Sequence, residues 1–163
     1  MNPYPARVLL ATLLLGLPLT GATGDASEPV SIRADEATFR QQEGIGIYRG
    51  NAEMEQGQRH LVADRIEVHV DADGEITRLE AEGNPLRMRE GEDMRARARH
   101  MVYDVRAERI VLTGNALIEQ RGRTFSGGRV EYDLVNETVD ASGDADERVR
   151  MTIPGRKQER EEE

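Results

Sequence analysis

The sequence predicts an all-β fold in which two antiparallel sheets pack face to face over a shared apolar interior. Three observations carry this expectation. Apolar residues alternate with period two through most of residues 30–153, a small-residue mark recurs at four places about 31 residues apart, and turn-forming residues separate the alternating runs.

Residues 1–26 are expected to be a cleaved export signal. Arg7 precedes the apolar run Val8–Leu19, which is shorter than the roughly 20 residues of a spanning helix and ends at Pro18. Small residues at Thr20 and Ala22, or at Gly24 and Ala26, offer cleavage positions. What remains is long enough for one domain with its own core and short for two, and it is placed at 27–155. Beyond Pro154-Gly155, residues 156–163 alternate charges and are expected to be a disordered tail.

The repeat marks are Gly50-Asn51-Ala52, Gly83-Asn84-Pro85, Gly114-Asn115-Ala116 and Gly143-Asp144-Ala145, at spacings of 33, 31 and 29 residues. A second series interleaves with them: Ala34-Asp35, Ala63-Asp64, Ala98-Arg99 and Gly127-Gly128. In the first series, runs such as Ile110, Leu112, Gly114, Ala116, Ile118 keep one parity throughout. In the second the inward parity steps by three residues, from Ala34 to Ala37, Ala63 to Ile66, Ala98 to Met101 and Gly127 to Val130. An extra residue of this kind is what a β-bulge or sheet corner inserts, so the chain should bend there and keep its apolar face inside. A further step from Gly83 to Leu86 spans Pro85, which lacks the ladder donor and marks another corner or an edge. Hairpin-like connections are expected at Asp71–Gly74, Glu90–Glu92, Arg121–Arg123 and Val135–Glu137.

Composition narrows the function classes. The chain has 22 basic and 31 acidic side chains, a net charge of −9, and a chain cut after Ala22 loses Arg7 and no acid. Nucleic acid is therefore not an expected partner. There is no cysteine, so an exported domain must hold itself by packing and backbone pairing. No catalytic site, metal site or cofactor is expected. His60, His69 and His100 each neighbour inward residues and so point outward, and none forms a metal-spaced pair. Asp71-Ala-Asp-Gly-Glu75 has the opening of a calcium loop, but Ile76 stands where that loop needs glycine, and a turn is the better reading. Acidic pairs such as Glu53 and Glu55 alternate on the outward face as solvation.

From Ile110 to Asp133, Ile-Val-Leu-Thr-Gly-Asn-Ala-Leu-Ile-Glu-Gln followed by Phe-Ser-Gly-Gly-Arg-Val-Glu-Tyr-Asp resembles the OstA-like periplasmic lipopolysaccharide transport family. That family's repeats carry Ala-Asp and Gly-Asn-Ala marks. The resemblance extends from about Val30 to Ile153. It departs at Arg99 and Gly128, which stand where the repeat elsewhere has Asp, so a cap made by Asp35 or Asp64 is not general. The resemblance implies a twisted β-jellyroll, open at both ends, that stacks head to tail with copies of itself. It also implies that acyl chains of lipopolysaccharide lie in an inner groove, and that jellyrolls on an inner-membrane C component and an outer-membrane D component extend the bridge across the periplasm.

The residues expected to line that groove are Ile32, Ala34, Phe39 and Ile47; Ala52, Met54, Leu61, Ala63, Ile66 and Val68; Leu79, Ala81, Met88, Met94, Ala96, Met101 and Tyr103; and Leu112, Ala116, Ile118, Phe125, Val130 and Tyr132. Many are small, which reads as room for chains, because a packed interior otherwise reaches crystal-like density. The competing reading is a thin sandwich with a dry core, a self-assembling structural protein of the envelope. A carbohydrate-active enzyme fits least, since clustered inward carboxylates are missing. Assembly edges are expected at Val30 and Ile32 in the first strand and at Val149, Met151 and Ile153 in the last, where unpaired backbone groups can template another chain.

Overall fold

The structure, a computed structural model, describes residues 28–145 and 147–155; the expected export signal and charged tail lie outside them. The described residues form ten strands: β1 (Ser31–Arg33), β2 (Glu36–Arg40), β3 (Ile45–Gln56), β4 (Arg59–Val70), β5 (Ile76–Glu90), β6 (Met94–Asp104), β7 (Arg109–Gln120), β8 (Arg123–Asp133), β9 (Thr138–Ser142) and β10 (Arg150–Thr152). All pairings are antiparallel, in the order β1-β3-β4-β5-β6-β7-β8-β10, with β2 also on β3 and β9 also on β8. The expected pair of sheets is thus one continuous sheet, bent in the middle.

The bend lies where the parity steps. Register shifts occur between Arg49 and Ala52, Val62 and Arg65, Glu82 and Leu86, Arg97 and His100, and Thr113 and Ala116, a row of bulges crossing every long strand. At each bulge the Gly-Asn strand opposes more residues to fewer. Gly50 and Asn51 face Asp64 alone, and both adopt the left-handed region, with φ of 75° and 45°. Gly114 and Asn115 repeat this at 76° and 50°. Glycine is required twice over at position 50, because a Cβ there would lie 2.5 Å from the Asp35 carboxylate that folds over it. Asn51 donates its side-chain amide to the same carboxylate at 2.8 Å. Arg99 takes the equivalent place over Gly114, so the contact recurs with a different side chain, and at Gly128 the roles of the two series reverse, with Asp144 standing over it.

This crease divides the sheet into two arms. One carries β1 and β10 and ends in the β3–β4, β5–β6 and β7–β8 turns; the other carries β2 and β9 and ends in the β2–β3, β4–β5, β6–β7 and β8–β9 turns. No helix or second sheet is available among the described residues to cover the apolar face. The arms cover each other, and one cluster joins Met54, Leu61, Met88 and Ile118 of the first arm to Ile66, Leu79, Met101 and Leu112 of the second. The expected turns form as read; Asp71 shows why, its carboxylate accepting the amides of Asp73 at 3.1 Å and Glu75 at 3.0 Å.

Candidate functional site

The space between the arms is the candidate site. Ala52, Met54, Leu61, Ala63, Ile66, Val68, Leu79, Ala81, Met88, Met94, Ala96, Met101, Leu112, Ala116, Ile118, Val130 and Tyr132 all lie in the buried cluster, and Ile32, Ala34 and Tyr103 pack partly buried against it. Phe125 is half-buried beside Ile118 and Met151. Leu86, Ala98 and Ile110 complete the cluster. No polar or charged residue is buried in it among the described residues.

Two expected lining residues fall elsewhere. Ile47 is buried, but it pairs with Thr38 and Glu67, on the face opposite Tyr48, and belongs to the outside of the second arm. Parity through Gly50 selects Tyr48 as the inward residue, and Tyr48 does pack against the cluster. Phe39 has the inward parity of Ala37, but β2 is an edge strand with nothing beyond it among the described residues, and Phe39 is 60% exposed. The other end is equally bare: Val149, Met151 and Ile153 are 48%, 52% and 63% exposed on the inward parity of β10. The interior therefore presents apolar side chains at both open ends of the sheet.

The middle is closed. Leu61, Ile66, Leu86 and Leu112 have no exposed surface, so the unfilled channel expected from the small residues is filled by the protein's own side chains. Apolar walls with nothing between them collapse together. The mouth, where the arm tips meet opposite the crease, is instead polar. Arg59 of the first arm lies over the Tyr103 ring of the second, 5.7 Å from its centroid, and donates to Glu90 at 3.0 Å. Gln120 donates to the Tyr132 hydroxyl at 2.7 Å, and Arg121 pairs with Glu137 at 3.7 Å. On the β1 side of Arg59 the mouth opens into a cavity of about 370 Å³, its apolar wall formed by Val30, Met54, Ile76, Leu79 and Tyr103 and its polar rim by Glu28, Gln56, Arg59 and Glu75. Among the described residues the buried Nε of Arg59 has no hydrogen-bond partner, a spare donor at the edge of this opening.

His60, His69 and His100 stay off the inward face as expected, and His69 lies 2.9 Å from Glu67. No group of three or more His, Cys, Asp or Glu residues among the described residues could hold a metal ion. Reading the sequence missed one feature with a plain signal: arginines alternate on the outer side of β5 and β6, at 87, 89, 95, 97 and 99.

A single antiparallel sheet creased onto itself, open at both edges and apolar within, defines an open-ended β-jellyroll. The chain belongs to the LptA/(LptD N-terminal domain) LPS transport protein family, whose model matches residues 31–138. It is 28% identical over 144 residues to lipopolysaccharide export system protein LptH of Pseudomonas aeruginosa, covering 80% of this chain and 82% of that one. With lipopolysaccharide export system protein LptA of Escherichia coli K12 it shares 26% over 160 residues, 93% of this chain and 86% of the relative. The crystal structure of LptH, described as the LptA-homologous periplasmic component of the lipopolysaccharide transport device of Pseudomonas aeruginosa, superposes with a TM-score of 0.70. That match has 26% identity and covers 78% of this chain and 96% of the other.

Proposed function

We propose that this protein carries lipopolysaccharide through the periplasm, with acyl chains held between the two arms and the headgroup at the mouth. The observation that carries the reading is an apolar interior left bare at both ends of the sheet, by Phe39 on one side and Val149, Met151 and Ile153 on the other. Membership of a lipopolysaccharide transport family supports the same cargo. A twelve-carbon chain exposed to water costs on the order of 10 kcal/mol, so such a lipid needs an apolar shelter to cross an aqueous space. The collapsed centre opens by parting the arms, exchanging contacts between side chains for contacts with acyl chains. The Nε of Arg59 then has an acceptor available in the polar linkage at the head of the chain.

Residues 1–26 export the chain and are removed. Copies of the jellyroll join head to tail through the free edges of β1 and β2 at one end and β9 and β10 at the other. The same edges meet related jellyrolls of the inner-membrane C component and the outer-membrane D component. The role needs binding without turnover, and the site offers no nucleophile or carboxylate pair for catalysis.

One observation favours a second reading, a structural envelope protein with a dry core: the central residues are closed to solvent. Mass spectrometry of lipid retained after gentle purification separates the two. The carrier releases lipopolysaccharide in stoichiometric amount; a protein that retains none, and takes up none when lipopolysaccharide is added, is the dry structural form.

A further inference from the structure

The outer face of the β1/β10 arm carries charge that the groove does not use. Arg87 and Arg89 of β5 and Arg95, Arg97 and Arg99 of β6 are all exposed there. The register sets Arg87 opposite Arg97 and Arg89 opposite Arg95, like charges facing each other across neighbouring strands, an arrangement that destabilises a sheet. Two concavities of about 570 and 550 Å³ adjoin on this face, sharing Arg97 and Leu117; Arg150 lines the second, and the acids in the two linings are Glu119 and Glu147. Among the described residues, these arginines make one ion pair, Arg95 with Glu119 at 3.9 Å.

The outer face of the other arm is built differently. Arg65 pairs with Glu67 and with Glu82, Arg78 with Glu80 at 2.7 Å, and Arg109 and Arg129 with Glu131 at 3.2 and 2.7 Å. The β1/β10 arm also pairs Arg33 with Glu53 and Glu55 at its β1 edge, but its β5 and β6 arginines keep only the Arg95–Glu119 pair among the described residues, in a chain whose net charge is −9.

We infer that the arginine face of the β1/β10 arm binds phosphate groups of the lipopolysaccharide saccharide, an inference that rests on the cargo reading above. Guanidinium forks match phosphate oxygens in bidentate pairs. Cross-strand and along-strand spacings of roughly 5 and 7 Å let one phosphate engage two arginines at once. The face is concave, which suits a discrete headgroup rather than a flat membrane. Arg89 and Arg95 stand next to the β5–β6 turn on the rim of the mouth, so a headgroup leaving the groove reaches them by crossing one turn.

The test uses deacylated lipopolysaccharide, a phosphorylated saccharide with no chains to enter the groove, titrated calorimetrically into wild-type protein and into R87Q/R89Q/R95Q/R97Q. Affinity should fall with salt, drop at least about tenfold in the quadruple variant, and fall by an intermediate amount in the four-lysine variant, which keeps charge but loses the fork. The control R78Q/R109Q/R129Q, on the other arm, should stay within about twofold of wild type. Circular dichroism of these surface variants reads the fold. Equal affinity in the arginine and control variants, equal binding of the dephosphorylated saccharide, or tighter arginine-dependent binding to phosphatidylglycerol vesicles than to the saccharide would each overturn the inference. Retention of intact lipopolysaccharide is read separately. Retention without saccharide binding leaves the carrier standing and removes the arginine site; saccharide binding without retention does the reverse.

Discussion

Leu112 has no exposed surface and stands in the middle of the second arm between Met101 and Val130. The ladder on both sides pins its neighbours, so Leu112→Ala leaves a void that cannot fully collapse, at a cost of about 2–5 kcal/mol. At roughly 4 °C per kcal/mol for a domain of this size, the lipid-free protein should melt on the order of 8–20 °C lower. An acyl chain between the arms can reclaim that space. Three methylenes at about 0.8 kcal/mol each return roughly 2.4 kcal/mol, so the variant should bind lipopolysaccharide up to about fiftyfold more tightly than wild type. Thermal melts with and without saturating lipopolysaccharide, together with a titration of each form, measure both quantities. An unchanged affinity with the same loss of melting temperature in both states would refute chain occupancy at this position.

Other expectations follow from the edges, the surface and the turns. Deleting Val149–Ile153 removes the free strand β10 and should reduce concentration-dependent oligomers in light scattering while leaving a folded monomer; unchanged oligomers would exclude assembly through that strand. Changing His60, His69 and His100 to Asn, outside the apolar cluster, should cost within about 0.5 kcal/mol each and leave lipid retention intact, as thermal melts and mass spectrometry would show. The Asp71 carboxyl is held below its ordinary value by the Glu75 amide, helped by the Asp73 amide and Arg106, and Asp133 by the Asn136 amide and side chain. A depressed folded pKa means stability that is complete above the ordinary value of 3.8 and lost as pH falls through the lower folded value. Asp71→Asn with Asp133→Asn should therefore flatten the acid limb of the melting curve below about pH 4, with an unaltered limb counting against these turns.

Much of this arrangement was legible in the sequence. The parity steps at Ala63, Ala98 and Gly127 coincide with the crease, because a buried face constrains which residues point inward more strongly than any local propensity does. Parity did not reveal that each long strand, β3 to β8, runs through the crease to serve both arms, since one bent sheet and two sheets bury the same residues. It also says nothing of lateral position: Phe39 has the inward parity but sits on an edge strand that no described residue covers. Ile47 shows the converse, a residue buried on the outward face that apolarity alone assigns to the core. Small residues such as Ala52 and Ala116 predicted space, but the arms closed over them, an outcome set by collapse across the whole interior rather than by any one position. The arginine series of β5 and β6 was fully visible as alternation, and its meaning emerged only when the register placed Arg87 beside Arg97 and showed the other arm's charges paired.

The central claim is that acyl chains lie between the arms, and adjacent residues of one strand can test it most directly. Leu112 has no exposed surface and faces the interior, while Val111 lies on the other face of the same arm, opposite Val102 and Glu131 and away from the arginine face. A photo-activated crosslinking amino acid placed at 112 should capture lipopolysaccharide on irradiation, and the same group at 111 should capture it far less. Equal crosslinking at the two positions, or capture at 111 alone, would contradict a lipid held inside the jellyroll.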